Sequence, residues 1–264
     1  MNLESLIRLG SFVGVFAFMT LWELWKPCRQ GLLFQRRWWS NLGLVVFNTL
    51  LLRFSLGALA YQTAVFTQAQ GWGVLNLVNA PVTLELLFSV AVLDLAIYLQ
   101  HVLFHALPLF WRLHRVHHAD SGFDATTGLR FHPLEILLSM LYKTVLVLAL
   151  GPSPGAVLLF ELLLNASAVF NHGNIRLPGG LEKILRLLIV TPDFHRVHHS
   201  QAEDETNSNY GFFLSCWDHL GGTYRAEPRQ GHAEMQIGLA NFQGAECDRL
   251  PEMLLLPLRS LKKD

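Results

Sequence analysis

The sequence predicts an all-α integral membrane bundle of four or five spans, carrying a histidine-rich helical cap on its cytoplasmic side. Three observations predict it. Of 264 residues, 52% are hydrophobic and only 15% are Asp, Glu, Lys or Arg, against roughly 25% charged in an average soluble domain. The apolar residues gather into runs long enough to cross a hydrocarbon core of about 30 Å. All 12 histidines lie after residue 100, and most stand at or beyond the ends of those runs. Twenty basic residues balance twenty acidic ones, so the chain lacks the basic footprint that holds nucleic acid. Cys28, Cys216 and Cys247 stand too far apart for a disulfide framework or an iron–sulfur site.

The first run, Leu6 to Trp25, reads as a retained span: it has almost no basic leading region, and no small-residue cleavage site follows it. The second, Trp39 to Phe66, carries Arg53, which must snorkel or face other helices. The third, Val82 to Phe104, holds Glu85 and Asp94 and finishes in a histidine pair. Leu134 to Leu150 and Ala156 to Phe170 flank the turn sequence Gly151-Pro152-Ser153-Pro154-Gly155. They form a hairpin that crosses thinly or dips in and returns. Lys26, Arg29, Arg36 and Arg37 crowd the connector after the first span, whereas Thr67 to Pro81 has no Lys or Arg. The basic side is then cytoplasmic, the N-terminus outside, and every histidine cluster in or just inside the cytoplasmic interface.

Three regions follow: membrane spans and connectors over 1–82, a histidine-rich domain over 83–227 that includes the hairpin at 134–171, and a cytoplasmic tail over 228–264. In the tail, Met253 to Leu256 is expected on the membrane surface, and Lys262 and Lys263 read as a solvated terminus.

Eight histidines form three clusters: His101 and His105; His114, His117 and His118; His195, His198 and His199. The i, i+4 spacing of the first pair puts both rings on one helix face. His114-Arg-Val-His117-His118 recurs 81 positions later as His195-Arg-Val-His198-His199. Eight neutral imidazoles exceed the four ligands of one tetrahedral site and suit two ions with open positions. Imidazole accepts zinc, copper, iron or nickel, so ligand type leaves the metal open. A site beneath apolar helices suits lipid-chain chemistry by a redox-active iron pair and O₂.

Further candidates follow from helical spacing. Asp94, Tyr98, His101 and His105 form one stripe, in which the carboxylate and phenol are placed to accept a ring N–H. Glu161, Asn165 and His172 form another, which aims His172 at the same end as a ninth ligand. Asn174 and Asp193, each beside a ligand, complete the supporting set, although Asp193 and Glu203 to Glu205 also read as exposed helix-end charges. His132, just before Pro133, reads as a helix N-cap and secondarily as a ligand. His219 and His232 read as ordinary polar contacts.

These residues resemble the fatty acid hydroxylase and sterol desaturase superfamily of membrane di-iron proteins. The resemblance runs from Leu93 to Glu227, about half the chain. Its boxes are His101-x-x-x-His105, Trp111-x-x-His114-x-x-His117-His118 and Thr191-Pro192-x-x-His195-x-x-His198-His199. Phe131-His132-Pro133-x-Glu135, Asn171-His172-x-Asn174, Asn209-Tyr210-Gly211, Trp217-Asp218 and Gly222-Thr223-Tyr224 also fit. Two departures concern subfamily and substrate: His219, Leu220 and Gly221 follow the Trp-Asp pair where the family commonly has an arginine and a bulky apolar residue, and Asn207 stands where a related pattern has aspartate. The resemblance implies O₂-dependent hydroxylation of a lipid such as a sterol or fatty acyl chain, or less often desaturation or ether cleavage. It implies two iron ions, with zinc as a replacement, and a separate electron donor of cytochrome b5 or ferredoxin type. No flavin, nicotinamide or haem fingerprint is present in the chain. The competing readings are a binuclear zinc lipid hydrolase, which normally uses carboxylate ligands, and a metal transporter, which places ligands at mid-bilayer.

Overall fold

The computed structural model describes residues 3–244 and 247–260, so Lys262 and Lys263 lie outside the described residues. Among these the chain is helical, and its extended pairings are isolated bridges such as Ile189 with Leu214. Five stretches are long and apolar enough to cross a membrane: Leu3–Trp25, Arg36–Leu77, Val82–Ala106, Pro133–Leu150 and Pro154–Asn171. Large apolar side chains such as Phe18, Leu21, Phe47, Leu87 and Val145 are exposed along them, as lipid contact requires.

Successive crossings alternate in direction. Helix α1 (Leu3–Trp25) begins with Arg8 against Glu161 and ends with Glu23 accepting the Ala125 and Asn174 amides beside the histidines. The second stretch is two helices, α2 (Arg36–Ser55) and α3 (Leu59–Gln70), broken at Gly57, whose φ of 58° lies in the left-handed region. At its start Asn41 donates to Asp120 and Thr126, and at its far end Asn76 donates to the Gly151 carbonyl. Arg53 is exposed on the last turn of α2. Helix α4 (Val82–Ala106) returns to the histidine end, where Pro108 starts the short helix α5 (Pro108–His118).

The hairpin is α6 (Pro133–Leu150) and α7 (Pro154–Asn171), 18 residues each, or about 27 Å. Gly151 caps α6 at φ 69°, and Ser153 caps α7 while donating to Glu85. Lys143 and Arg8 meet the two oxygens of Glu161 at 3.1 and 2.6 Å, so these three charges inside the bundle are paired. The core between α3, α4, α6 and α7 is Ala60, Ala64, Leu93, Val147, Val157 and Phe160.

The cap rests on a buried polar floor. Arg37 bridges Asp120 and Asp124, Thr126 and Thr127 bond the same carboxylates, and Arg130 donates to the carbonyls of Val116 and Cys247. The C-terminal segment differs from its expected place on the membrane surface. Met253 and Leu256 are fully buried against Leu44, Val116 and Phe242, because the Leu256 carbonyl accepts from the buried Arg115 and draws the segment under α5.

Candidate metal centre

Four helix ends deliver the histidines. His101 and His105 come from the last turns of α4, His114, His117 and His118 from α5, and His172 is the C-cap of α7. Two short helices follow α7: α8 (Gly179–Leu185), then α9 (Pro192–His198), capped by the Thr191 hydroxyl and started by Pro192, which supplies His195 and His198 and ends at His199. The rings converge in two groups: His101, His105, His114, His118 and His198 in the first, and His117, His172, His195 and His199 in the second, with one nitrogen of each ring within 4.8 Å of the others in its group. The nine rings expected from the sequence are thus together. His132 is apart from both groups. Its Nδ1 accepts the Leu134 amide as the N-cap of α6, and its Nε2 meets the Leu254 carbonyl at 3.2 Å.

Hydrogen bonds fix which nitrogen faces inward. A carbonyl only accepts, so the nitrogen against it carries the ring proton. His101 Nδ1 meets the Tyr210 carbonyl, His172 Nδ1 that of Ala168 and His198 Nδ1 that of Ser208, each at 2.7 Å. Their Nε2 atoms therefore present lone pairs. His172 Nε2 lies 3.1 Å from the Nε2 atoms of His117, His195 and His199, and His101 Nε2 lies 3.0 Å from that of His114. Ring nitrogens this close share either a proton or a cation. Two nitrogens about 2.1 Å from one ion and at right angles are about 3.0 Å apart, so these separations fit metal ligation. His105 Nε2, His118 Nε2 and His198 Nε2 are buried without a hydrogen-bond partner, an arrangement suited to a cation.

Burial, reinforced by neighbouring rings, holds His117, His118, His195, His198 and His199 well below the ordinary imidazole range. Burial likewise pushes His172 down to about 4. All are neutral at pH 7, the form that ligates. Aromatic walls fix the rings: Phe131 stacks on His117 at 4.6 Å, and Trp111 lies 4.8 Å from His105.

The supporting layer differs from the expected one. Asp94 accepts from the Phe213 and Leu214 amides and from Trp217 Nε1, and Tyr98 Oη pairs with Thr223 Oγ1 at 3.0 Å. They hold the 210–223 loop, and through Tyr210 they reach His101. A carbonyl from that loop takes the place at His101 Nδ1 that the helical stripe offers to Asp94. Gly221 fits because a Cβ there would lie 2.1 Å from Tyr98 Oη, so the bulky residue common in the family would displace Tyr98. Asn174 bonds Arg29 rather than a ring. Asp193 and Glu205 are buried, not exposed: Arg196 turns inward beside Asp193, and Glu205 accepts the Arg229 amide.

Three contributors go unpredicted. Glu135 Oε1 meets His114 Nδ1 at 2.6 Å, Asn207 Oδ1 meets His105 Nδ1 at 3.3 Å, and Asp218 accepts from the Tyr210 and Gly211 amides and Thr223. Glu135 and Asp218 stand inside stretches that match the family. That was the available signal.

The fatty acid hydroxylase family model matches residues 86–223, which contain all nine clustered histidines. The chain belongs to the fatty acid hydroxylase family. It is 31% identical to the ornithine lipid hydroxylase of Rhizobium tropici over 163 residues, 60% of this chain and 46% of that one. It is 30% identical to human alkylglycerol monooxygenase over 139 residues, 51% and 29% of the two chains. It is 29% identical to a cholesterol 25-hydroxylase-like protein of Danio rerio over 192 residues, 72% and 73% of the two. The chain spans less than half the length of the first two relatives. No solved structure matches it. Five apolar crossings and this family make it an integral membrane protein.

Proposed function

We propose that this protein is an O₂-dependent oxidoreductase that hydroxylates, or desaturates, a C–H bond of a membrane lipid at a pair of iron ions. The observation that carries the reading is the convergence of nine imidazoles, eight of them buried, into two groups at the ends of apolar helices. The donor set is all nitrogen, which suits iron and, as a replacement, zinc. A carboxylate-ligated hydrolase has less support, since the carboxylate nearest the rings, Glu135, lies behind His114 on the Nδ1 side.

In this reading His101, His105, His114, His118 and His198 hold one ion, and His117, His172, His195 and His199 the other. Iron bound there supplies the reduction of O₂ and the oxidation of an unactivated C–H bond. The chain's own residues orient and exclude. The carbonyls of Tyr210, Ser208 and Ala168 fix the tautomers of His101, His198 and His172. Phe123 and Phe131 help exclude water around the rings. Asp94, Tyr98 and Asp218 anchor the loop that carries Tyr210, while Asn174 ties the segment after α7 to the backbone of Arg29 and Asp193 pairs with Arg196 within the third box.

A groove of about 270 Å³ between α1 and α7 is lined by Val15, Phe18, Leu163, Ala166, Phe170 and Phe213. It supports entry of an acyl chain from the bilayer. Phe213 adjoins Phe212, whose ring lies 5.7 Å from that of His101. Electrons come from a separate carrier, of cytochrome b5 or ferredoxin type, and the basic connector after α1 favours a cytoplasmic histidine side. The 83–227 region is then the catalytic domain.

Elemental analysis with Mössbauer spectroscopy of iron-57-enriched protein tests this. About two coupled irons per chain, with product formed from lipid, O₂ and a reductant, is the expected result. Two zincs, with no iron uptake and no O₂ consumption, would replace the oxygenase by the hydrolase. Ala166→Trp should cut lipid turnover at least about tenfold while leaving metal content intact, because an indole fills the groove.

A further inference from the structure

The two histidine groups differ in what stands behind their ligands. Four of the nine rings meet a backbone carbonyl or an amide oxygen through Nδ1: His101, His172, His198 and His105. His114 meets a carboxylate, and at 2.6 Å the contact is as short as a charge-assisted hydrogen bond. Glu135 is buried, and its second oxygen has no hydrogen-bond partner. Its charge is therefore directed at one imidazole and is not shared with solvent or a guanidinium.

Its position is set by its own helix. His132 caps α6 through the Leu134 amide and Pro133 fixes the first turn, so Glu135 stands in that turn facing α5. Phe131, on the other side of the cap, stacks on His117. One short stretch, 131–135, thus touches a ring of each group, but delivers an anion to the first alone.

We propose that Glu135 is a positioning residue that makes the two metal positions unequal: its carboxylate, accepting the Nδ1 proton of His114, makes that imidazole the strongest donor of the site and lowers the reduction potential of the ion held by the five-histidine group. A carboxylate behind a ligating histidine raises its basicity, and stronger donation favours the higher oxidation state of the ion it holds. The inference rests on the two-ion reading above.

The deciding comparison is wild type against Glu135→Gln, purified as full chain in detergent and loaded with iron-57. An amide carbonyl preserves an acceptor without the charge. The expected result is that one Mössbauer doublet shifts while the other stays, that one reduction midpoint moves positive, and that the affinity of one ion weakens about 10–100-fold. Unequal doublets in the wild type follow already from five ligands against four, so they decide nothing alone. Identical doublets and midpoints in wild type and Glu135→Gln would overturn the proposal, as would equal changes at both ions. Should Glu135→Gln fail to accumulate, Glu135→Asp keeps the charge but withdraws it by one methylene, and the same selective shift, smaller in size, is expected. If the wild type takes up no iron, the oxygenase reading fails first. Stepwise cobalt(II) uptake then tests Glu135 separately, with selective weakening of one step in Glu135→Gln expected and equal weakening of both, or none, against it.

Discussion

The second and third histidine boxes are the same five residues, His-Arg-Val-His-His, and they serve the two groups in opposite senses. On α5 the first and fifth residues, His114 and His118, join the five-histidine group and the fourth, His117, crosses to the other. On α9 the first and fifth, His195 and His199, join the four-histidine group and the fourth, His198, crosses back. The pattern is that of an approximate two-fold relation between the two helices, built from i, i+3 and i+4 spacings that send neighbouring rings about 100° apart. Both valines, Val116 and Val197, are fully buried. The arginines mark where the likeness ends. Arg115 donates to the carbonyls of Leu256 and Arg259 and covers Phe242, whereas Arg196 pairs with Asp193, donates to the carbonyls of Gly173 and Ile175 and covers Phe123. A repeated motif thus fixes a symmetric set of rings, while unrelated surroundings individualise each half.

Loss of equivalent rings is the strongest way to probe that relation. His118→Ala and His199→Ala should each reduce bound metal from about two ions to about one and lower turnover by more than about 100-fold, beyond what loss of an outer partner costs. Metal analysis alongside activity checks both. If one variant keeps both ions, the exchange between boxes is broken.

The arginines should separate the halves. Arg196→Met leaves Asp193 buried beside Arg176, which is more than half exposed, and is expected to cost about 3–5 kcal/mol of stability. Arg115→Met removes two hydrogen bonds to backbone carbonyls and strands no buried charge, and a loss of about 1–3 kcal/mol is expected. Thermal or denaturant unfolding in one detergent compares them, and equal losses would erase the distinction.

The smallest effect is expected at Asn207. Asn207→Asp places an anion behind His105 and should tighten metal retention by less than about tenfold, read by competition with a chelator. A weaker grip than wild type would show that the 3.3 Å contact does not transmit charge to the ring.

Much of this organisation was legible in the sequence because it depends on local spacing. The i, i+4 pair His101 and His105, the duplicated pentapeptide and the stripe ending in His172 announce converging rings, and the Gly-Pro-Ser-Pro-Gly turn announces the hairpin. The supporting layer was less legible because it depends on which loop folds back. Asp94 lies on the same stripe as His101, yet the 210–217 loop comes between them and takes the carboxylate for its own amides. The single-run reading of 39–66 missed the break at Gly57, since the apolar content continues through it. Met253 and Leu256 looked like an interfacial patch because nothing local in the sequence reveals the Arg115 guanidinium waiting beneath α5.

That last contact bears on how the protein comes to be made. Arg115 sits between His114 and the His117–His118 pair, and its acceptors at Leu256 and Arg259 are synthesised after every histidine of the site. Until Leu256 and Arg259 are made, Arg115 lacks these two acceptors, although Leu44 and Arg130 already back Val116 on the same helix. The last contacts that close the cap over α5 therefore form only after every helix that carries a ring has been made.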